Sequence, residues 1–323
     1  MRKAPPRIVL DWDGTLTRRD TLHVVAGIGY KRNRHRGGRD LMPWDQIVQA
    51  YISDYTAHRD SYRPAKSQRT TVGQESAWLA SLGEVERRSV QRVRGAGVFA
   101  DVTEEDVCEA AEDAVRGGEV QLRDGWKDVL AGASRCARSE TAAAEATARP
   151  PLAIISVNWS AAFIRACLSA AAALGDCPPP MKDTVDSIEI LSNHLACEPS
   201  ENTSGTTTSI HTSADKLEAL NRLRESGNGD ILYVGDSATD FDCLVAADVG
   251  ICVRDEPLGS GQAELKECLE RVGVEVSRLD WDKWIEYQRG GHRGPRQGKH
   301  SVVWWVADLR EVASFVEKYC DLD

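Results

Sequence analysis

Three apolar runs in this chain each stop abruptly at a polar residue, and that repetition narrows the available folds more than any other feature. Arg7-Ile8-Val9-Leu10 runs straight into Asp11-Trp12-Asp13-Gly14-Thr15. Leu152-Ala153-Ile154-Ile155 ends in Ser156, and Asp230-Ile231-Leu232-Tyr233-Val234 ends in Gly235-Asp236-Ser237. Runs of this length, apolar throughout after a leading Arg7 or Asp230, read as strands buried on both faces. Ile188–Leu191 and Val249–Val253 add two more. Helical patterns separate them, at Gly125 to Cys136, Ala161 to Leu174 and Ala214 to Glu225. This alternation predicts an α/β fold with a Rossmann-like parallel sheet covered on both faces. Ligands bind such sheets at the carboxyl ends of the strands, which is where Asp11, Ser156 and Asp236 converge.

Between the first two strands, roughly from Asp20 to Gly118, the pattern is helical throughout. Ile47, Val48, Tyr51, Ile52 and Tyr55 fall at helical spacing, as do Trp78, Leu79 and Leu82, then Val85, Val90 and Val93. Thr103-Glu104-Glu105-Asp106 has the form of a capped helix start. We expect a helical module at 20–118 inserted into a core made of 1–19 and 119–323, with a C-terminal extension from about 289. Lys31 to Arg39, Ser139 to Pro151, Cys177 to Pro180, Glu198 to Ser209 and Arg289 to His300 read as loops or linkers. Trp304, Trp305, Val306, Leu309, Val312 and Phe315 read as one final helix, anchored by its tryptophans.

The 323 residues carry a formal net charge of -10, which argues against a chain that wraps nucleic acid by general electrostatics. The nine cysteines are odd in number, scattered and without a CxxC pair. In a chain too long to need staples, they favour free thiols and a reducing, cytoplasmic compartment. No signal-peptide core follows Met1 to Arg7, and no window approaches the apolar length of a membrane span. The sequons at Asn158 and Asn202 therefore read as chance.

The strand ends carry the chemistry. Asp11 and Asp13 are two apart and can face one pocket. One can act as nucleophile while the other gives and takes a proton. Gly14 and Thr15 let the backbone turn and present N–H groups to an anion. Magnesium favours oxygen ligands, and Asp11, the backbone carbonyl of Asp13 and Asp236 supply a partial shell that Asp240 can support. Ser156 can donate to a phosphate oxygen, and Lys216 can add a positive charge beside Asp11.

This set, with Gly235-Asp236-Ser237-Ala238-Thr239-Asp240 in order after it, resembles the four motifs of the haloacid dehalogenase superfamily over roughly 7–19 and 120–255. The resemblance implies that Asp11 forms an aspartyl phosphate and that Asp13 is the general acid and base. Thr15, Ser156, Val157 and Lys216 would hold the phosphoryl group. Asp11, Asp13 and Asp236 would hold Mg2+, with Asp240 assisting. The second acid, Asp13, points to phosphatases and mutases rather than dehalogenases or ATP-driven pumps.

The helical module lies where this superfamily carries a small cap, which favours a small phosphorylated metabolite over a macromolecule. The pattern resembles phosphoserine-phosphatase-like members. Ser156–Ser160 and Gly235–Ile251 resemble the phosphatase domain of plant thiamin monophosphate phosphatases and related fungal proteins. Hydrolysis of thiamin monophosphate or a phosphoserine-like metabolite is the expected activity. The alternatives are a phosphomutase and a catalytically weak phosphometabolite-binding or scaffold protein.

Other features carry less. His23 reads as structural, Trp12 as core, and Trp44, Tyr51 and Tyr55 as helix packing. Lys31, Arg32, Arg34 and Arg36 read as a solvated loop, and Trp159 as a residue with a chance of touching substrate.

Overall fold

The computed structural model describes residues 5–35, 37–38, 40–138, 151–174, 180–198, 209–225, 229–290 and 302–322. The chain opens with strand β1 (Arg7–Leu10) and a single turn at Trp12–Leu16. Five helices follow: α1 (Leu22–His35), α2 (Trp44–Ser61), α3 (Val72–Ser81), α4 (Gly83–Gly95) and α5 (Glu104–Arg116). Then come α6 (Trp126–Arg138), β2 (Leu152–Ile155), α7 (Ala161–Leu174), α8 (Pro180–Ser187) and β3 (Glu189–Leu191). The second half adds α9 (Ser213–Glu225), β4 (Ile231–Gly235), α10 (Phe241–Ala246), β5 (Val249–Val253) and α11 (Ser260–Arg271). It closes with β6 (Glu275–Arg278), α12 (Trp281–Arg289), β7 (Val302–Val306) and α13 (Leu309–Cys320).

The seven strands form one parallel sheet in the order β3-β2-β1-β4-β5-β7-β6. Strand periodicity divides its side chains between two cores. Ile8, Leu10, Ile154, Leu232, Val234 and Ile251 face the layer of α6, α7 and α13. Val9, Ala153, Ile155, Tyr233 and Cys252 face the layer of α9, α10 and α11. Burial on both faces is why these runs lack polar alternation. Where the apolar run ends, the chain leaves both cores at once, and the polar residues surface at one edge of the sheet.

Of the helices between β1 and β2, α3 leans on that same end of the sheet. Glu75 of α3 is buried between Arg69 and Arg271, each 2.8 Å away, so α3 is tied to α11 of the sheet layer. Ser76 donates to Asp242 at the start of α10. The chain enters and leaves this region side by side, through an antiparallel bridge between Thr17 and Leu122.

Four expectations are corrected. Lys31–His35 is the end of α1 and not a loop. Cations at a helix C-terminus complement its dipole, and Lys31 and Arg32 pair with Asp113 and Asp106 at 3.6 and 3.2 Å. Trp304, Trp305 and Val306 belong to strand β7, and the helix begins only at Leu309. Asp308 separates the two, its carboxylate accepting from the N–H groups of Arg310 and Glu311. The third correction concerns the thiols. Cys136 on α6 and Cys320 on α13 form a disulfide across the packing of those helices, while Cys108, Cys167, Cys197, Cys243, Cys252 and Cys268 are free.

Pro180 opens α8 instead of ending a linker. The loop readings at Ser139–Pro150, Cys177–Pro179, Pro199–Thr208 and Gly291–His300 lie outside the described residues, as do Arg36 and Asn202. Among the described residues, no helix is long and apolar enough to cross a membrane.

Candidate active site

The register of the sheet assembles the site. Leu10 lies opposite Ile154 on one side and Val234 on the other, so Asp11, Ser156 and Asp236 emerge at neighbouring strand ends. The turn after β1 requires glycine twice over. Gly14 has φ +78°, and a Cβ there would lie 2.3 Å from Oδ2 of Asp236. The two motif loops can approach each other only because position 14 has no side chain. Gly235, at the end of the neighbouring strand β4, is equally confined: a Cβ there would lie 2.4 Å from Cγ of Asp240.

Lys216 comes from the first turn of α9. Asp215 starts that helix by accepting from the N–H groups of His211 and Thr212 and from the Thr212 hydroxyl. Lys216 is fully buried and donates to Asp11 Oδ1 and Asp240 Oδ1, both at 2.7 Å. Burial alone would lower its pKa, but the charges of Asp11 and Asp240 override it and hold the ammonium protonated, above its ordinary range.

Asp240 has no spare oxygen. Its Oδ1 also accepts from the Tyr233 hydroxyl at 2.6 Å, and its Oδ2 accepts from the backbone of Asp236 and Ser237 at 3.0 and 3.1 Å. It therefore enters the site by fixing Lys216 and the Asp236 loop.

Asp11 and Asp236 are different. Oδ1 of Asp236 accepts from the Thr15 hydroxyl at 3.1 Å, and Oδ1 of Asp11 accepts from Lys216. Among the described residues the second oxygen of each has no hydrogen-bond donor, and carboxylate oxygens of Asp11, Asp236 and Asp240 lie within 4.8 Å of one another. Three buried carboxylates thus face one ammonium. The free oxygens of Asp11 and Asp236, in a site short of positive charge, fit a hard divalent cation.

The shortage is visible at Asp236. Burial, then the charge of Asp240, pushes its carboxyl up to about 7. A raised carboxyl weighs against the fold wherever it must ionise: above about pH 7 the full penalty is present, and below the ordinary carboxylate range it vanishes. Asp236→Asn should therefore stabilise the metal-free protein at pH 8, by up to about 4 kcal/mol, since the carboxyl is raised by about three pKa units, each worth about 1.4 kcal/mol. Thermal unfolding in chelator at pH 8 and pH 4 is the check. A variant destabilised at pH 8 would show that Asp236 is compensated within the protein.

Asp13 is held by other donors. Its Oδ1 accepts from the N–H and hydroxyl of Thr21 at 2.7 and 2.6 Å, and its Oδ2 accepts from Asn158 Nδ2 at 3.0 Å. Burial, then the charge of Asp20, pushes its pKa up to about 6 against those hydrogen bonds. That places it where a group can both give and take a proton near neutrality.

Ser156 is buried at the end of β2, and its oxygen accepts from the Asn158 N–H at 3.0 Å, leaving the hydroxyl proton to donate. Val157 follows, half-buried, and its carbonyl accepts from Asn193 Nδ2 at 3.1 Å. Thr15 is buried beside Asp236.

The site also depends on residues that no sequence motif marks. Arg123 is buried and donates to the carbonyls of Gly14 and Thr15 at 2.8 and 3.2 Å, and Asp255 and Gln262 brace it from behind. Thr21 and Tyr233 hold Asp13 and Asp240. Asn158, a sequon by spacing, is buried and occupied within the site. No local pattern marks any of these roles. His23 is exposed and lies 3.5 Å from Glu119. Trp12 is core, as expected, and Trp159 packs edge-on against Trp44 and Phe99 at 5.9 and 5.8 Å.

No family model matches the chain. Among curated proteins it is 25% identical over 332 residues to the bifunctional TH2 protein, mitochondrial, of Arabidopsis thaliana, covering 95% of this chain and 48% of that one. It is 24% identical over 257 residues to a CTO1 family protein of Schizosaccharomyces pombe, covering 76% of this chain and 81% of that one. The chain thus spans about half the length of the plant relative. Solved structures similar to it include a phosphoserine phosphohydrolase-like protein from Francisella tularensis, with TM-score 0.41, 14% identity and coverage of 96% and 98%. A substrate-bound phosphoserine phosphatase has TM-score 0.41, 13% identity and coverage of 84% and 100%. The similar curated proteins come from a plant and a fungus, the two groups to which the motifs pointed.

Proposed function

We propose that this chain is a magnesium-dependent phosphohydrolase that cleaves a small phosphate monoester through an aspartyl phosphate on Asp11. The observation that carries the reading is the cluster of buried carboxylates at the strand ends, with Lys216 bonded to Asp11 and Asp240 and, among the described residues, one oxygen of each of Asp11 and Asp236 without a donor.

Asp11 and Asp236, with the backbone carbonyl of Asp13, would hold Mg2+. The ion would neutralise charge on the transferring phosphoryl group and orient it. Asp11 attacks phosphorus through the carboxylate oxygen not given to the metal, and the P–O bond to the leaving alcohol breaks. Asp13, protonated at the start, gives its proton to that alcohol oxygen. It then takes a proton from the water that attacks phosphorus, releasing phosphate and restoring the Asp11 carboxylate. The hydroxyl of Ser156, the backbone of Thr15 and Val157, and the Lys216 ammonium hold the non-transferring oxygens. Asn158 and Thr21 fix the Asp13 carboxylate, and Arg123 fixes the turn that carries both acids. The helices of 20–118 act as a cap over this edge and exclude macromolecules.

The test is phosphate release from a panel of small esters, thiamin monophosphate and phosphoserine included. Chelation should reduce release to background and added Mg2+ should restore it. Undiminished hydrolysis after exhaustive chelation would remove the metal from the mechanism.

A further inference from the structure

A cavity of about 350 Å³ opens between the end of α4 and the loops that carry the site. Trp159, in its wall, follows Asn158, which holds Asp13. His211, also in the wall, precedes the cap of the helix that carries Lys216. The cavity is thus built from immediate neighbours of the catalytic loops. Its volume suits a small organic group and exceeds what a phosphate alone would fill.

The lining has a definite character. Phe99 and Trp159 meet edge to face at 5.8 Å and give it an aromatic wall. The charged and titratable residues of the lining are Arg94, His194 and His211, and no carboxylate lines it among the described residues. Glu198 lies behind the lining, accepting from Ser160 and the Ala162 N–H with His194 Nδ1 3.3 Å from its Oε2, and Asp215 is used in capping α9. Arg94 is exposed and has no acidic partner among the described residues.

An aromatic wall alone would accept an uncharged ring or, by its π face, a cation. The unpaired arginine decides between them. A cation placed here would meet repulsion from Arg94 and would lose water without gaining a counter-charge. An uncharged ring meets neither problem, and an anionic substituent would gain from Arg94.

We propose that this cavity receives the alcohol portion of the phosphate ester and is built for an uncharged or anionic aromatic group, in preference to an amine-bearing or otherwise cationic one. Phe99 and Trp159 hold the ring, and Arg94 sets the permitted charge. This deepens the phosphohydrolase reading and rests on it.

The experiment uses the full chain and esters of primary alcohols, so that leaving-group chemistry is matched: 2-phenylethyl phosphate, its 4-carboxy derivative, thiamin monophosphate and phosphoethanolamine. The first two should exceed the last two in kcat/KM by at least about tenfold, the scale of one well-placed aromatic or charge contact. Arg94→Glu should lower the carboxy ester by about tenfold and raise thiamin monophosphate by a similar factor. Preference for a cationic ester, unmoved by Arg94→Glu, would overturn the cavity assignment and leave the phosphohydrolase reading standing.

Calorimetric binding of 2-phenylethyl phosphate to Asp11→Asn separates the two further. Binding that weakens about tenfold with Phe99→Ala, in a protein whose parent hydrolyses nothing, would keep the cavity and overturn the phosphohydrolase reading. Absence of both binding and hydrolysis would overturn both.

Discussion

Asp11→Asn should lower phosphate release by about 10⁴-fold or more, the scale on which removal of a covalent nucleophile acts. The amide preserves the shape of the side chain and its hydrogen bond from Lys216, but it has no anionic oxygen to attack phosphorus. Lys216 keeps Asp240 as a counter-ion at 2.7 Å, so the interior stays balanced. The far-UV circular dichroism and unfolding midpoint in chelator should therefore stay close to those of the parent. Single-turnover measurements with the preferred ester, alongside unfolding curves, make the check. Hydrolysis within tenfold of the parent would assign the nucleophile elsewhere.

Lys216→Met should have the opposite profile, with stability as the first casualty. The lysine is fully buried, and its two ion pairs neutralise Asp11 and Asp240 away from water. Methionine fills similar space but leaves two carboxylates unpaired. Breaking a buried ion pair from one side costs about 3–5 kcal/mol. Denaturant unfolding in chelator should show a loss of that order, and adding Asp11→Asn and Asp240→Asn should recover some of it by removing the orphaned charges. A stable Lys216→Met single variant would show that solvent reaches the carboxylates. In Mg2+ the loss should shrink, because the ion supplies some of the missing positive charge.

The core is legible in the sequence because its strands obey a strong rule. β1, β2, β4 and β5 are short runs without polar interruption, and each ends where the chain leaves both hydrophobic layers. Asp11, Asp236 and Lys216 are legible for the same reason, since their chemistry coincides with an element boundary. Val302–Val306 is hidden because an apolar strand followed closely by an amphipathic helix reads as one apolar segment unless Asp308 is taken as a cap. Residues 254–288, which contain α11, β6 and most of α12, offer no apolar run; the strand there is Glu275-Val276-Ser277-Arg278, a sheet edge with polar residues on it. Arg123, Thr21 and Tyr233 act only through contacts that the fold creates, at separations of 109, 8 and 7 residues from their partners Gly14, Asp13 and Asp240. The Cys136–Cys320 pair spans 184 residues and depends on how α6 meets α13.

The placement of β7 bears on how the protein is made. β7 is the last strand of the sheet in the chain, yet it lies between β5 and β6. Among the described strands β6 pairs with β7 alone, so when the ribosome has delivered everything up to residue 290 it still has nowhere to dock. Val302–Val306 must then enter between β5 and β6, bringing Val303 to one core and Trp304 to the other. A nascent chain that stalls before this point carries every proposed catalytic residue but presents the bare edge of β5. Unpaired edges of that kind are where growing chains associate with one another. A strand that follows every proposed catalytic residue in sequence therefore governs how safely the site reaches its finished form.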